Sequence, residues 1–216
     1  MCIRDRSEGA LTWNEILHSR NVWAITYSYF AYGYVAYIFF TWFFIYLSRV
    51  RGLNLKASAL YSMLPFIAMA CAAPLGGWVA DWITRHHGKR AGRCGVAVFG
   101  ISLAAVFLAL ATQVESARVA SIVLAGGAGA IYLSQSAFWA VTADIAGKSA
   151  GTVSGLMNMG GQIGGAVTAS LTPWIADRFG WTASFLVAAS VCFAGSLAWL
   201  FVNPEVPIAN SAKTSA

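Results

Sequence analysis

Apolar stretches of about 20 residues or more recur along this chain, and each is long enough to cross the hydrocarbon core of a bilayer as a helix. No other feature constrains the fold so tightly. Lipid offers no water to satisfy backbone N–H and C=O groups, so a spanning segment is either a helix or a strand of a closed barrel. Barrel strands run about 10 residues with alternating polarity, which these stretches do not. Of the 216 residues, 58% are hydrophobic and 10% are charged, against about 25% charged in a soluble domain. The reading is an all-α integral membrane protein.

Six spans are predicted, at about Val22–Leu47, Ser58–Trp82, Cys94–Val114, Arg118–Ile145, Thr152–Ala176 and Thr182–Val202. Residues 22–202 then form one six-helix transmembrane bundle, between a cytoplasmic start (1–21) and a disordered cytoplasmic tail (203–216). The opening MCIRDR resembles a translated sequencing adapter, so residue 1 is not taken as the native start. The start is polar and lacks the apolar core of a cleavable signal peptide. Pro65, Pro74 and Pro173 fall inside spans, where membrane helices tolerate proline and bend.

Lys and Arg counts set the orientation. Arg4, Arg6, Arg20, Arg85, Lys89, Arg90, Arg93, Lys148 and Lys213 fall on one side; Arg49, Arg51, Lys56, Arg118 and Arg178 fall on the other. The richer side is read as cytoplasmic, with both termini inside and the protein multi-pass in the cell inner (plasma) membrane. The net charge of +6 lies in loops, so it does not point to nucleic acid. Cys2, Cys71, Cys94 and Cys192 are scattered without metal-ligand spacing and read as small apolar fillers. No cofactor and no metal site are expected.

The fifth span is the most informative. At 3.6 residues per turn Gly151, Gly155, Asn158, Gln162, Gly165 and Ala169 share one face. Small residues let a neighbouring helix approach closely, and two amides at mid-depth must face protein or a watery cavity. The face is either a cavity wall or helix-to-helix glue. An internal echo joins Trp78-Val79-Ala80-Asp81 to Trp174-Ile175-Ala176-Asp177. These ends of the second and fifth spans lie on opposite sides, as an inverted 3+3 repeat requires. No ionisable residue stands at the centre of a span. Such groups cost about 3 kcal/mol each on insertion scales and mark ion and proton paths.

The second-to-third loop reads Gly77-Trp78-Val79-Ala80-Asp81-Trp82-Ile83-Thr84-Arg85-His86-His87-Gly88-Lys89-Arg90. It resembles the cytoplasmic signature loop of the major facilitator superfamily, G-x-x-x-D-(R/K)-x-G-(R/K)-(R/K). It departs from that pattern at Trp82 and in a three-residue stretch before Gly88. Gly77 suits close helix contact, and Asp81 suits a basic partner that holds one conformation shut; Gly77, Asp81, Arg85, Lys89 and Arg90 form the candidate latch. Tyr37-Ile38-Phe39-Phe40-Thr41-Trp42 with Arg51-Gly52, Phe138-Trp139-Ala140 through Asp144, Ser154 through Gly161 and Gly180-Trp181 resemble helices seven, ten, eleven and twelve of that superfamily's anion:cation symporter family.

The resemblance covers about Asn21 to Pro204 and implies the C-terminal half of a twelve-helix secondary transporter whose N-terminal six-helix half is missing. It implies a small organic-anion substrate, such as a sugar acid or carboxylate, moved with a coupling proton by alternating access. Carried over residue by residue, it points to Asn158 as a substrate amide and Trp139 as a ring packed on substrate, with Ser136 one turn before it. Tyr29 stands where the family carries a polar residue. Tyr34, Tyr37 and Gln162 complete the candidate binding set. The proton carboxylates and the anion-binding arginine then belong to the missing half.

Two rival readings arise. A free-standing six-helix half, acting as a homodimeric channel or transporter, would need self-complementary charge at mid-membrane, which is absent. An intramembrane serine protease would use Ser154, but His18, His86 and His87 all lie outside the spans, so the hydroxyl has no base; the chain is not read as an enzyme. ATP-driven transport lacks its GxxxxGK[ST] loop.

Overall fold

The computed structural model describes residues 10–208. The charges at Arg4, Arg6 and Lys213, together with Cys2, lie outside the described residues. Those residues are all-helical, with no strand among them. Helix α1 covers Trp13–His18, α2 Arg20–Thr41, α3 Phe43–Ile45, α4 Leu55–His87, α5 Val96–Ala111, α6 Ala117–Leu133, α7 Gln135–Ala146 and α8 Ala150–Ala198. Wider π turns over Tyr46–Val50 and Arg90–Gly95 precede and follow α4.

Three helical stretches among the described residues are long and apolar enough to cross a membrane: Leu55–His87, Arg90–Ala111 and Ala117–Phe201. A fourth is the pair Arg20–Thr41 and Phe43–Val50, bent by 51°. The protein is therefore a membrane protein by length and composition. The predicted spans at 58–82 and 94–114 correspond to the first two stretches; the predicted spans four to six fall within the third.

That third stretch has 85 residues. Drawn straight it would reach about 130 Å, several times the roughly 30 Å hydrocarbon core. It does not run straight. Gly147 (φ 50°) and Gly180 (φ 83°) adopt backbone conformations that L side chains avoid. Across Gly147, Ser154 Oγ donates to Thr142 Oγ1 at 2.7 Å; across Gly180, Ser184 Oγ donates to the Thr172 carbonyl at 3.2 Å. Twelve residues of straight helix would separate each pair by about 18 Å, so the chain doubles back at both glycines. Below, the first arm of α8 is 150–179 and the second arm is 181–198.

The segments predicted to share one side are drawn together at one end. Leu11 N–H donates to Ser149 Oγ at 2.8 Å. Asn21 and Asn203 exchange two hydrogen bonds, Asn21 Nδ2 to the Asn203 carbonyl at 3.1 Å and Asn203 N–H to Asn21 Oδ1 at 2.9 Å. Lys89 reaches Asp144 at 2.8 Å. At this end α1 is closed by a capping box, Thr12 with Glu15. The Thr12 backbone N–H, then its hydroxyl, hold the Glu15 carboxyl below its usual range. At the other end Arg51 spans the gap from the π turn to α5. Its Nε donates to Tyr46 Oη at 2.7 Å, and its terminal nitrogens donate to the carbonyls of Val114 at 2.7 Å and Glu115 at 3.2 Å. A cation there also suits the negative end of the α5 dipole.

The innermost contact is α2 against the first arm of α8. A Cβ on Gly164 would run into the Phe30 carbonyl, and one on Gly33 into the Gly161 carbonyl. Bare backbone on both sides is what brings the two helices this close. Gly151 and Gly155, expected to share this duty, face open space. The seam is instead Gly160, Gly161, Gly164 and Gly165. Of the cysteines, Cys94 and Cys192 are buried and Cys71 is exposed.

Gly164→Val is expected to destabilise the bundle by about 3 kcal/mol or more, because the obstruction is backbone and overpacked side chains alone cost about 1–3 kcal/mol. Gly155→Ala should be neutral or stabilise by up to about 1 kcal/mol, the helix-propensity gain. Unfolding of each purified variant by sodium dodecyl sulfate titration in mild detergent distinguishes the two.

Candidate functional site

Beside the glycine seam, and sharing Gly33 and Gly161 with it, a cleft of about 180 Å³ opens between α2, the α6–α7 break and the first arm of α8. From α2 come Tyr29, Tyr32, Tyr37 and Phe40; from the break, Tyr132 and Gln135; from α8, Asn158 and Gln162. No charged side chain lines it. Tyr37 Oη donates to Gln162 Oε1 at 2.6 Å, which leaves the Gln162 amide nitrogen free to donate elsewhere. Tyr29 is stacked on Tyr32 with centroids 4.9 Å apart and meets Phe138 edge-on at 4.8 Å. The walls thus offer hydroxyls, amides and ring faces. Such a set can bind a hydroxylated solute from several sides, but it cannot neutralise a carboxylate.

Four of the seven predicted binding residues meet here: Asn158, Gln162, Tyr29 and Tyr37. Trp139 stands beside the cleft, edge-on to Tyr29 at 6.2 Å, and is half-exposed. Ser136 is elsewhere: it packs on α4, where a Cβ at Gly77 would lie 3.5 Å from its own Cβ. Tyr34 is also elsewhere, only 1% exposed within the core. It follows Tyr29 by five residues, which turns it about 140° round the helix. Sequence reasoning missed Tyr32, Phe40, Tyr132 and Gln135. The first two were legible, since 29, 33, 36, 37 and 40 form one stripe at helical spacing with 32 beside it. Tyr132 and Gln135 flank the Ser134 break, which no sequence signal marked.

The fifth-span face therefore serves both readings. Asn158 and Gln162 look into the cleft, while the glycines one step round the helix hold α2. Ser154, the candidate nucleophile, donates its hydroxyl to Thr142.

The candidate latch is a chain of alternating charges. Asp81 pairs with Arg93 at 2.6 Å, Arg93 Nε lies 3.6 Å from Asp144, and Asp144 pairs with Lys89 at 2.8 Å. It joins the end of α4, the π turn and the end of α7. Arg93, outside the signature pattern, is the Asp81 partner the sequence left open. Arg85 donates Nε to the Asp81 carbonyl at 3.2 Å, along its own helix. Gly77 is not the close contact: a Cβ there meets only ordinary van der Waals neighbours, whereas one on Gly76 would run into the Leu133 carbonyl. Arg90 forms no salt bridge among the described residues and turns to the opposite flank of the π turn.

The sequence model described as Major Facilitator Superfamily matches residues 4–169 and, overlapping, 88–216. A probable sulfoacetate transporter of Cupriavidus necator is 32% identical over 95% of this chain and 48% of its own length. A chloroplastic ascorbate transporter of Arabidopsis thaliana is 32% identical over 90% of this chain and 36% of its own. A hexuronate transporter of Bacillus subtilis is 29% identical over 88% and 46%. The chain spans about half, or less, of the length of the curated relatives it matches.

Side-chain exposure ranks the ion pairs. Asp144 and Arg93 are 18% and 17% exposed, Asp81 is 56% exposed. Asp144→Asn is expected to cost about 2 kcal/mol, short of the 3–5 kcal/mol seen on breaking a fully buried pair. Asp81→Asn should cost under about 1 kcal/mol, as exposed pairs do. Detergent unfolding titrations at matched ionic strength test the order.

Proposed function

Because this chain belongs to the major facilitator superfamily, we propose that it is the C-terminal six-helix half of a secondary transporter for a small organic anion. The observation that carries the reading is the uncharged cleft of tyrosines and amides set inside a membrane-embedded bundle. Relatives whose names specify sulfoacetate, ascorbate and hexuronate transport support an anionic, oxygen-rich substrate. The cleft supplies the hydroxyl-binding part of such a site: Asn158, Gln162, Tyr37 and Tyr29 orient the solute, with Trp139 at the rim. The charge that grips the carboxylate comes from the other half, since this cleft has none.

Six spans follow from the four helical stretches once the two reversals divide the longest one, and the Trp78–Asp81 and Trp174–Asp177 echo supports an inverted 3+3 arrangement. Transport is alternating access: the two halves rock about the central site. The Asp81–Arg93–Asp144–Lys89 chain latches the cytoplasmic end in one state and releases it in the other. A coupling proton is carried by the other half, because no ionisable group lies mid-span here. On the positive-inside count both termini lie in the cytoplasm, and the membrane proposed is the cell inner membrane.

In the full-length transporter Asn158→Ala is expected to raise the KM for uptake at least tenfold, with membrane abundance unchanged. Tyr37→Phe, which frees Gln162, should raise it about threefold to tenfold, the worth of one or so hydrogen bonds. Radiolabelled uptake of sulfoacetate, glucuronate and ascorbate into cells measures both. Unaltered kinetics in Asn158→Ala would remove the cleft from the substrate path.

A further inference from the structure

A cavity larger than the cleft lies apart from both the cleft and the Asp81–Arg93–Asp144–Lys89 latch. It is an open groove of about 930 Å³ between the Arg90–Gly95 π turn, α5 and the chain's last helical turn. None of the elements that line the aromatic cleft contributes to it except the end of the α8 stretch, beyond Gly180. Its composition changes along its length. His87 and Arg90 stand at one end, and both are exposed. Below them the walls are apolar, through Phe99 and Val106 on α5 and Leu200 opposite. From Arg90 to Val106 is 16 residues of one helical stretch, about 24 Å at 1.5 Å per residue. One leaflet of hydrocarbon with its headgroup layer measures about 20–22 Å.

The charge at the polar end is uncommitted. Lys89 and Arg93, on the other flank of the same turn, are paired with Asp144 and Asp81. Arg90 makes no ion pair among the described residues. Among the described residues the carboxylate near this end is that of Glu205, which would lie 3.7 Å from a Cβ on Gly88 and is within electrostatic reach of Cys94. The middle of the groove is widened by Gly95, whose missing Cβ would meet nothing within 4 Å. Its backbone is ordinary right-handed helix (φ −61°, ψ −47°), so the position accepts any side chain.

We propose that this groove is a binding site for an anionic glycerophospholipid. Arg90 and His87 hold the headgroup phosphate, and one acyl chain lies along α5 between Phe99 and Leu200. A basic head over an apolar trough one leaflet deep matches that ligand in charge, length and polarity gradient. The site is independent of the substrate reading: it requires only that the bundle is embedded in lipid.

The test is native mass spectrometry of the chain purified from membranes into mild detergent, then exposed to equimolar phosphatidylglycerol and phosphatidylcholine. Retention of phosphatidylglycerol at least fivefold above phosphatidylcholine is expected. The His87→Gln/Arg90→Gln double variant should abolish that preference, while Arg85→Gln, whose side chain is outside the groove, should keep it. Gly95→Trp, whose Cβ meets nothing within 4 Å and whose ring would occupy the trough, should lower retention of phosphatidylglycerol with both basic residues intact; circular dichroism confirms that each variant keeps its helix content. Equal retention of the two lipids by the parent chain would overturn the proposal, as would a Gly95→Trp protein that binds as the parent does. Displacement of the lipid by 10-fold molar excess inorganic phosphate would mean a free-anion site instead. A dimer that Gly95→Trp dissociates would mean that a second copy occupies the groove; either result sinks the lipid reading.

Discussion

Where a side chain at position 164 would begin, the carbonyl oxygen of Phe30 already stands, and the Gly161 carbonyl holds the same place against position 33. Within a bilayer, burying apolar surface between helices gains little, because lipid is as apolar as leucine. Attraction has to come from close packing, and close packing here means backbone on backbone. Everything at the polar cleft follows from that proximity. With α2 drawn against α8, the Tyr37 hydroxyl reaches Gln162 at 2.6 Å, and the Tyr29 ring lies over Gly161. The seam and the cleft are adjacent faces of the same two helices. A disturbance of one moves the walls of the other.

Much of this was legible because membrane helices obey few rules strictly. Length and polarity located α4, α5 and the bent α2–α3 pair. The positive-inside count grouped segments that the structure brings into contact at one end, through Ser149, Asn21, Asn203 and Asp144. What failed was rotational phase. Helical spacing proposes several faces for a helix with glycines all round, and the sequence does not say which of them meets a neighbour. Gly151 and Gly155 were grouped with the amides by spacing, yet only 160, 161, 164 and 165 have backbone or rings against them. Tyr34 was drawn in by its chemistry and excluded by its angle. Gly77 lost its role to Gly76 by a single residue, or about 100°. Tyr132 and Gln135 depended on a break at Ser134 that packing creates, and the ion pair of Asp81 depended on Arg93, three places beyond the recognised motif.

The charges separate by function of place. At one end they cross-link helix ends: Asp81, Arg93, Asp144 and Lys89 alternate in sign, so each cation is shared between or committed to a carboxylate. At the other end one guanidinium does similar work with neutral partners, Arg51 bridging to the carbonyls of Val114 and Glu115 just past α5 and to that of Ala111 at its end. Between them, the cleft among the described residues is lined by hydroxyls, amides and ring faces, with no charged side chain. A bundle so arranged is cross-linked at its ends and lined by uncharged polar groups at its cleft.

Both ends of α4 adjoin π turns, at Tyr46–Val50 before it and Arg90–Gly95 after it. A π turn holds one residue more than an α turn. The first aims Arg51 at the carbonyls at and just past the end of α5; the second turns Arg93 to Asp81 and Arg90 to the outer groove. Chain length is therefore encoded locally in these two turns. Loss of a single residue from either would restore an ordinary helix and swing all that follows through about 100°, misdirecting one arginine set while leaving every apolar span intact. Such a deletion would pass any test of hydropathy and still uncouple the helix ends, so these ten or so residues are where insertions and deletions are least exchangeable with those of a loop.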